Sequence, residues 1–262
     1  KFKFKINKIY YSLFKERFNK DINFEFPTNI NRWDLIKEVI KIKKFNSYLE
    51  IGCDDDHSFK NIAVDYKIGV DPYSGGNFRG TSDHFFSQNN RKFDCIFIDG
   101  LHEYDQVCND LKNSFKCLNQ NGVIFLHDAL PANIHQQAVP RYKIIWNGDV
   151  WKSIVKYRIK NDCDIVTCRI DHGVSVVQKI INKKPLKNFG ILDCKKLCFK
   201  DFYESSFSKK DEFQIKFLEN INKNKTYKSA HKLVQYGWKK ESVPIVQEKK
   251  SLISRLFTLV FD

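Results

Sequence analysis

An α/β fold built on a mostly parallel sheet is what this 262-residue sequence predicts, and three observations predict it. Short apolar runs alternate with segments of helical periodicity, the pattern of strands joined by right-handed helical crossovers. The central runs, "FDCIFIDG" and "GVIFLHD", are continuously apolar rather than alternating, as strands covered on both faces are. The last two runs, "CDIVTCRI" and "GVSVVQKII", are separated only by the Asp171-His172-Gly173 turn. A turn that short cannot make a parallel crossover, so the sheet should end in an antiparallel pair.

The elements follow in order. Residues 1–30 open with "KFKFKINKIYYSLFKERF", read as a helical extension whose frequent charges leave no room for the apolar stretch of a signal peptide. "RWDLIKEVIKIKKF" (32–45) places Trp33, Ile36, Val39, Ile40 and Ile42 near helical spacing. "SYLEIG" and "YKIGVDP" are strands, the second stopped by Pro72. After the "KFDCIFIDG" strand, "YDQVCNDLKNSFKCL" is a helix with Val107, Leu111, Phe115 and Leu118 on one side, and an Asn-Gly turn introduces "NGVIFLHD". The loop 129–148 sits where a substrate lid belongs, and "GDVWKSIVKYRIK" is a helix with Asp149 near its start. The main domain is therefore 31–182, with the lid as an insertion. From 183 the chain turns Lys- and Phe-rich; "KDEFQIKFLENI" and "YKSAHKLVQYGW" look helical in a C-terminal extension running to 262. Its last segment, "SLISRLFTLVFD", is too short to span a bilayer. It is expected to dock on the body or make a homo-oligomer contact, with peripheral membrane contact as the alternative.

Composition narrows the classes. No run of about 18 uncharged apolar residues exists, which excludes a spanning helix. The eight cysteines show no CxxC pairs and fall in apolar segments, so they read as reduced thiols of a cytoplasmic protein. The net charge of +14 invites a nucleic-acid partner, but its distribution argues against one. Residues 1–46 carry 12 Lys+Arg against 5 Asp+Glu, whereas residues 47–150 carry 9 against 14. The segment bearing the candidate chemistry would repel a phosphate backbone.

That segment contains "YLEIGCDDDHSF", where Gly52 ends a strand and three carboxylates, Asp54 to Asp56, follow in place of further glycines. Asp71 ends the next strand, where an acid can bridge the two hydroxyls of a ribose. Together they fit an adenosine-containing cofactor. Carboxylates at its mouth disfavour the phosphates of NAD or ATP and permit the sulfonium and ammonium of S-adenosylmethionine. Alternatively, some of the three simply face water.

At "LEIGC", "GVDP", "FDCIFIDGLHEYDQV" and "NGVIFLHD" the chain resembles the class I S-adenosylmethionine-dependent methyltransferases over about residues 30–180. It looks most similar to the small O-methyltransferase-like proteins associated with surface-polysaccharide synthesis, in which "DPYSGGNFRGTSDHFF" and "WNGDVWKSIVKYR" also recur. The resemblance implies a Rossmann-like, doubly wound, seven-stranded sheet with its last strand antiparallel. It implies that Glu50, Gly52, neighbouring Cys53 and Asp71 contact the methionine part and ribose, and that Ser82 and Asp83 lie near the adenine. The family's usual glycine two to four places after Gly52 is replaced here by Asp54 and Asp56.

A second constellation pairs Asp99-Gly100-Leu101-His102 with His127-Asp128, each at the carboxyl end of a buried strand, so both should face one cleft. His102 is the candidate general base for methyl transfer to a hydroxyl, or else a helix cap. Asp99 and Asp128 are candidate catalytic residues and ligands of Mg²⁺, though a third carboxylate is lacking, and Asp99 is also a candidate cofactor contact. His127 reads as a structural or substrate-facing histidine. In the lid, His135, Gln136, Arg141 and Trp146 are candidates to grip a sugar, Trp146 by stacking and Arg141 through an anionic group; Trp146 packing on the lid's own base is the alternative. The expected activity is O-methylation of a small-molecule or glycan acceptor in surface-glycan synthesis. The alternative is a repurposed, non-catalytic methyltransferase fold.

Overall fold

The computed structural model describes residues 2–182 and 193–207. The segments 210–221, 227–238 and 251–262, expected to be helical or apolar, lie outside the described residues. Seven strands form one sheet in the order β3-β2-β1-β4-β5-β7-β6. They are β1 (Ser47–Ile51), β2 (Tyr66–Asp71), β3 (Phe78–Arg79), β4 (Phe93–Ile98), β5 (Leu118–Leu126), β6 (Asp164–Cys168) and β7 (Val174–Gln178). β3, β2, β1, β4 and β5 are mutually parallel, whereas β7 runs antiparallel to both β5 and β6. The expected doubly wound sheet with an antiparallel last strand is thus present. The tight turn after β6 works because Asp171, His172 and Gly173 all take positive φ.

The strands are continuously apolar because alternate residues enter two separate cores. Leu49, Ile51, Ile96, Ile98, Ile124 and Leu126 face one, and Tyr48, Cys95, Phe97, Val123 and Phe125 face the other. The first core is closed by α5 (Tyr104–Cys117) and α6 (Val150–Ile159), through Val107, Leu111, Trp151 and Ile154. The second is closed by α2 (Arg32–Lys43) and α3 (His57–Asn61), through Leu35, Ile36, Val39 and Phe59. Phe97 is fully buried, and truncation of such a ring to Ala costs about 3–5 kcal/mol.

Two boundaries differ from expectation. The N-terminal extension is helical only in α1 (Phe2–Phe14); beyond it the chain runs irregularly along the body, with Ile22 buried and its N–H donating to the Ala132 carbonyl. The Asn121-Gly122 pair does not precede a strand: β5 already begins at Leu118, and three extra residues bulge between the Phe93↔Leu118 and Cys95↔Val123 pairs, with Asn121 in the left-handed region. Helix α4 (Ser82–Gln88), capped by the Thr81 hydroxyl, and α7 (Phe199–Phe207) complete the described α-helices.

Candidate active site

Every parallel strand ends on the same side of the sheet, and the polar residues of interest gather there as two groups. The first lies at the ends of β1 and β2. Gly52 takes φ +87 and passes so close to β4 that a Cβ would stand 2.3 Å from the Asp99 carbonyl oxygen. Glycine is needed for both reasons.

Asp71 is nearly buried, and its carboxylate is fully engaged. Oδ2 accepts the N–H groups of Cys53 and Asp54 (both 3.1 Å), and Oδ1 those of Tyr73 and Ser74 (2.7 and 2.9 Å). Four donors fill the roughly four lone-pair sites of a carboxylate. Burial alone would raise the Asp71 pKa, but the four donors outweigh it and hold the group below the ordinary range.

The three-carboxylate run does not form a common ligand mouth. Asp54 and Asp55 are exposed, Asp55 accepting the His57 N–H. Asp56 instead accepts the Gly76 N–H at 2.6 Å and fastens the loop after β2 onto the loop after β1. Asp54 and Asp56 stand where the resemblance expects glycine, and both take the positive φ a glycine would have supplied (47° and 67°). Carboxylate selection of a cationic cofactor is accordingly weaker than the sequence suggests.

Glu50 is buried and accepts a hydrogen bond from the Tyr48 hydroxyl at 2.5 Å. Burial pushes its pKa up to about 8, so it offers the cleft little charge near neutrality. Cys53 is buried beside it. Ser82 and Asp83, at the start of α4, are held to α5: Gln106 Nε2 donates to Ser82, Asp83 and the buried Asp110, and Asn109 Nδ2 donates to Asp83 at 2.6 Å.

The second group lies at the ends of β4, β5 and β6. His102 Nε2 is 3.3 Å from Asp99 Oδ1, and its Nδ1 is 3.1 Å from both Asp128 Oδ2 and the Trp146 carbonyl. His127 Nδ1 is 2.9 Å from Asp99 Oδ1, and its Nε2 is 2.6 Å from the Asp171 carbonyl. Carbonyls only accept, and ionised carboxylates only accept, so both ring nitrogens of each histidine must donate. Burial would lower both histidine pKa values, but the facing carboxylates of Asp99 and Asp128 outweigh it, raising His102 and holding His127 well above the usual range. Asp99 is correspondingly held well below the carboxylate range, its burial overcome by the two imidazoles.

Two residues that the sequence did not single out complete this group. Arg32, at the N-terminus of α2, donates from its guanidinium to Asp171 Oδ2 at 2.8 Å and lies 3.5 Å from Asp99 Oδ2. Asn147 Nδ2 donates to Asp128 Oδ1 at 2.8 Å. The strand-end logic used for Asp99 and Asp128 applies equally to the turn after β6 and would have placed Asp171 here. Helices run back antiparallel to the strands, and the same logic puts the start of α2, hence Arg32, on this side.

The lid candidates divide. Trp146 reaches the group: its ring stacks on His102 (centroids 5.2 Å, 21° between planes), and its Nε1 donates to the Ala138 carbonyl at 2.6 Å. It packs at the base of its own loop, with the Arg141 guanidinium 5.4 Å from its centroid, and is not an open platform for a sugar. Arg141 donates to the Lys143 and Ile144 carbonyls, Gln136 accepts the Ala132 N–H, and His135 pairs with the Tyr142 hydroxyl. These three are spent inside a loop of 20 residues that contains neither helix nor strand and must satisfy its own backbone. Gly148 is fixed by the group as well: φ is +61, and a Cβ would meet the His102 carbonyl.

Two fits follow. One ligand atom each from Asp99, His102 and Asp128 lie within 4.8 Å of one another, a mixed nitrogen and oxygen set suited to a divalent cation. His102 supplies the third donor that the sequence reading did not find. Asp71 could meet the two hydroxyls of a ribose only where two of its N–H partners give way.

Residues 51–129 match the family model described as a methyltransferase domain. That stretch runs from the end of β1 to just past β5 and holds Gly52, Asp71, Asp99, His102 and Asp128. No curated protein matches the sequence. Among solved structures, the fold is similar to a methyltransferase from Podospora anserina bound to SAH, at 17% identity, covering 56% of this chain and 76% of that one, with a TM-score of 0.42. It is similar to an O-methyltransferase from Bacillus cereus in complex with SAH, at 10% identity, covering 67% and 97%, with a TM-score of 0.42. It is likewise similar to the O-methyltransferase TomG from Streptomyces achromogenes, involved in tomaymycin synthesis and solved with SAM, at 10% identity, covering 67% and 96%, with a TM-score of 0.43. At these values the likenesses add nothing to the sheet order already described; the match over 51–129 is what ties the chain to methyl transfer.

Proposed function

We propose that the protein is an S-adenosylmethionine-dependent O-methyltransferase acting on a hydroxyl of a sugar or sugar-linked compound, in surface-glycan synthesis. The observation that carries the reading is the convergence of Asp99, His102 and Asp128 at the strand ends, beside Asp71, within the stretch that matches a methyltransferase domain. The sugar acceptor rests on the resemblance of the sequence stretches quoted above.

The cofactor would supply an electrophilic methyl group. Asp71 would accept the ribose hydroxyls in exchange for loop N–H donors, a swap of like for like. Ser82 and Asp83 would border the adenine, and Gly52 and Cys53 the methionine part. Glu50, buried and largely protonated near neutrality, contributes shape rather than charge.

His102 is the proposed base, with Nε2 as the atom that takes the hydroxyl proton. To act so it must first shed the proton held there by Asp99. One observation favours a second version of the same activity: both ring nitrogens of His102 face carboxylates. With Asp99, His102 and Asp128 as ligands, a divalent cation such as Mg²⁺ would acidify an acceptor hydroxyl and orient it. The eight unpaired cysteines, seven of them buried, fit a reducing, cytoplasmic setting.

Calorimetric titration with S-adenosylmethionine and with NAD tests the first claim: binding of the former alone is expected. Assays against sugar-bearing acceptors, read as the mass gain of one methylene, test the second. Loss of activity in chelator, restored by added cation, selects the cation version. Activity that survives chelation but not His102→Ala selects the base version. Binding of neither cofactor overturns both versions and leaves a repurposed fold.

A further inference from the structure

Helix α1 has two apolar faces, and among the described residues the body packs on only one. Tyr11 is buried against the Tyr142 ring (centroids 5.4 Å apart), Phe4 packs on the main core, and Asn7 Nδ2 donates to the Arg141 carbonyl at 2.7 Å. Phe2, Ile6, Ile9 and Leu13 recur at i, i+4, i+7 and i+11, with Tyr10 and Phe14 alongside, and all six are between 42% and 76% exposed. That spacing places them in one stripe along the helix. Lys3, Lys5 and Lys8 are exposed on the same helix, and α1 carries no acidic residue.

We propose that α1 docks the protein on an anionic membrane surface, its apolar stripe entering the headgroup region and its lysines meeting acidic lipid. A short amphipathic helix with lysines beside an apolar stripe lies in the plane of such an interface. At 13 residues α1 is too short to cross, and no helix among the described residues is long and apolar enough to do so. Charge separates this occupant from a second copy of the chain. A two-fold contact sets the same patch against itself, and here that would oppose lysines with no carboxylate on either helix to pair them.

A line of contacts leads from this helix to the candidate site. The Arg141 guanidinium lies 5.9 Å from the Phe4 ring centroid and 5.4 Å from that of Trp146, which stacks on His102. Ile144 and Ile145, in the same loop, are exposed as well. Docking through α1 would hold the cleft close to the bilayer, where a lipid-linked acceptor resides. The docking claim stands on α1 alone and survives or fails independently of methyl transfer.

The test is sedimentation of the full chain with vesicles of phosphatidylcholine alone and of phosphatidylcholine with phosphatidylglycerol. The expected result is binding to the anionic vesicles that weakens with salt and falls about tenfold or more in Ile9→Asp/Leu13→Asp and in Lys5→Glu/Lys8→Glu. Equal binding by wild type and variants, or no preference for the anionic vesicles, overturns the proposal. So does a dimer in light scattering that Ile9→Asp/Leu13→Asp splits. A lowered melting temperature for that variant without vesicles also overturns it, because the stripe would then be covered by the chain itself, for instance by residues 251–262 outside the described part.

Discussion

The end of β2 and the ends of β4 and β5 hold their carboxylates in opposite ways. Asp71 takes all four of its hydrogen bonds from backbone N–H groups, in loops on either side of it, with the Arg79 guanidinium farther off at 3.8 Å. Asp99 and Asp128 are satisfied by His102, His127, Arg32 and Asn147, all side chains. Backbone donors are fixed in number and carry no proton to give up. Imidazoles can lose protons, rotate or exchange a proton for a cation. The first arrangement shapes a site; the second can do chemistry.

Gly52 joins the two regions, and Gly52→Ala should break both. Its Cβ would stand inside the contact distance of Asp99 backbone, at a φ that disfavours any L side chain, with no flexible group to yield. A loss of more than about 4 kcal/mol in chemical denaturation is expected. Destabilisation under about 1 kcal/mol would show that β1 and β4 can part there without cost.

Arg32→Met tests whether the side-chain cluster depends on its distal cation. It leaves Asp99 and Asp171 short of a donor while keeping much of the apolar stem. Both carboxylates are partly buried, and a loss of about 2–3 kcal/mol together with impaired methyl transfer is expected. Unchanged stability would mean that the two histidines neutralise them without it.

Asp71→Asn should cost about 2 kcal/mol near neutral pH, because an amide accepts through one atom only and turns a second donor on the loop. The folded pKa of Asp71 is depressed, so its stabilisation is present above the unfolded value of about 3.9 and fades as pH falls through the folded one. Wild type and variant should therefore converge in acid. A gap that stays constant as the pH is lowered would assign the loss to packing.

Glu50→Gln is the smallest change and the only one expected to stabilise. The folded pKa, about 8, exceeds the unfolded value. Between about 4.3 and that value the folded state alone retains the proton, so wild-type stability falls as pH rises through the window. The amide keeps the Tyr48 hydrogen bond without the ionisation, and a gain on the order of 2 kcal/mol at pH 8, absent at pH 4, is expected in thermal melts. No gain at pH 8 would place water at Glu50.

How much of this was legible along the chain depended on whether the information was local. Continuous apolar runs marked β4 and β5, and the positive-φ turn at Asp171 marked the antiparallel edge. Asp71, Asp99, His102 and Asp128 were found because strand ends converge by topology, whatever the side chains do. The Asn121 bulge was missed because Asn-Gly serves a turn and a bulge equally well. The bonds that His135, Gln136 and Arg141 make within their own loop were not legible, because a long loop uses the same residue types to satisfy its own backbone as a substrate site does.

The sequence by itself determined the alternation of strand and helix, the side of the sheet where polar groups gather, and the identity of the acids placed there. Those follow from periodicity and chain direction, which neighbours in sequence decide. Only the tertiary structure decided what each acid meets. Arg32 and Asp171 are 139 residues apart, and Asp71 takes donors from Cys53, 18 residues before it, as well as from the loop that follows it. Whether a carboxylate is a ligand, a clasp or half of an ion pair depends on donors brought from elsewhere in the chain, and local pattern carries no record of them.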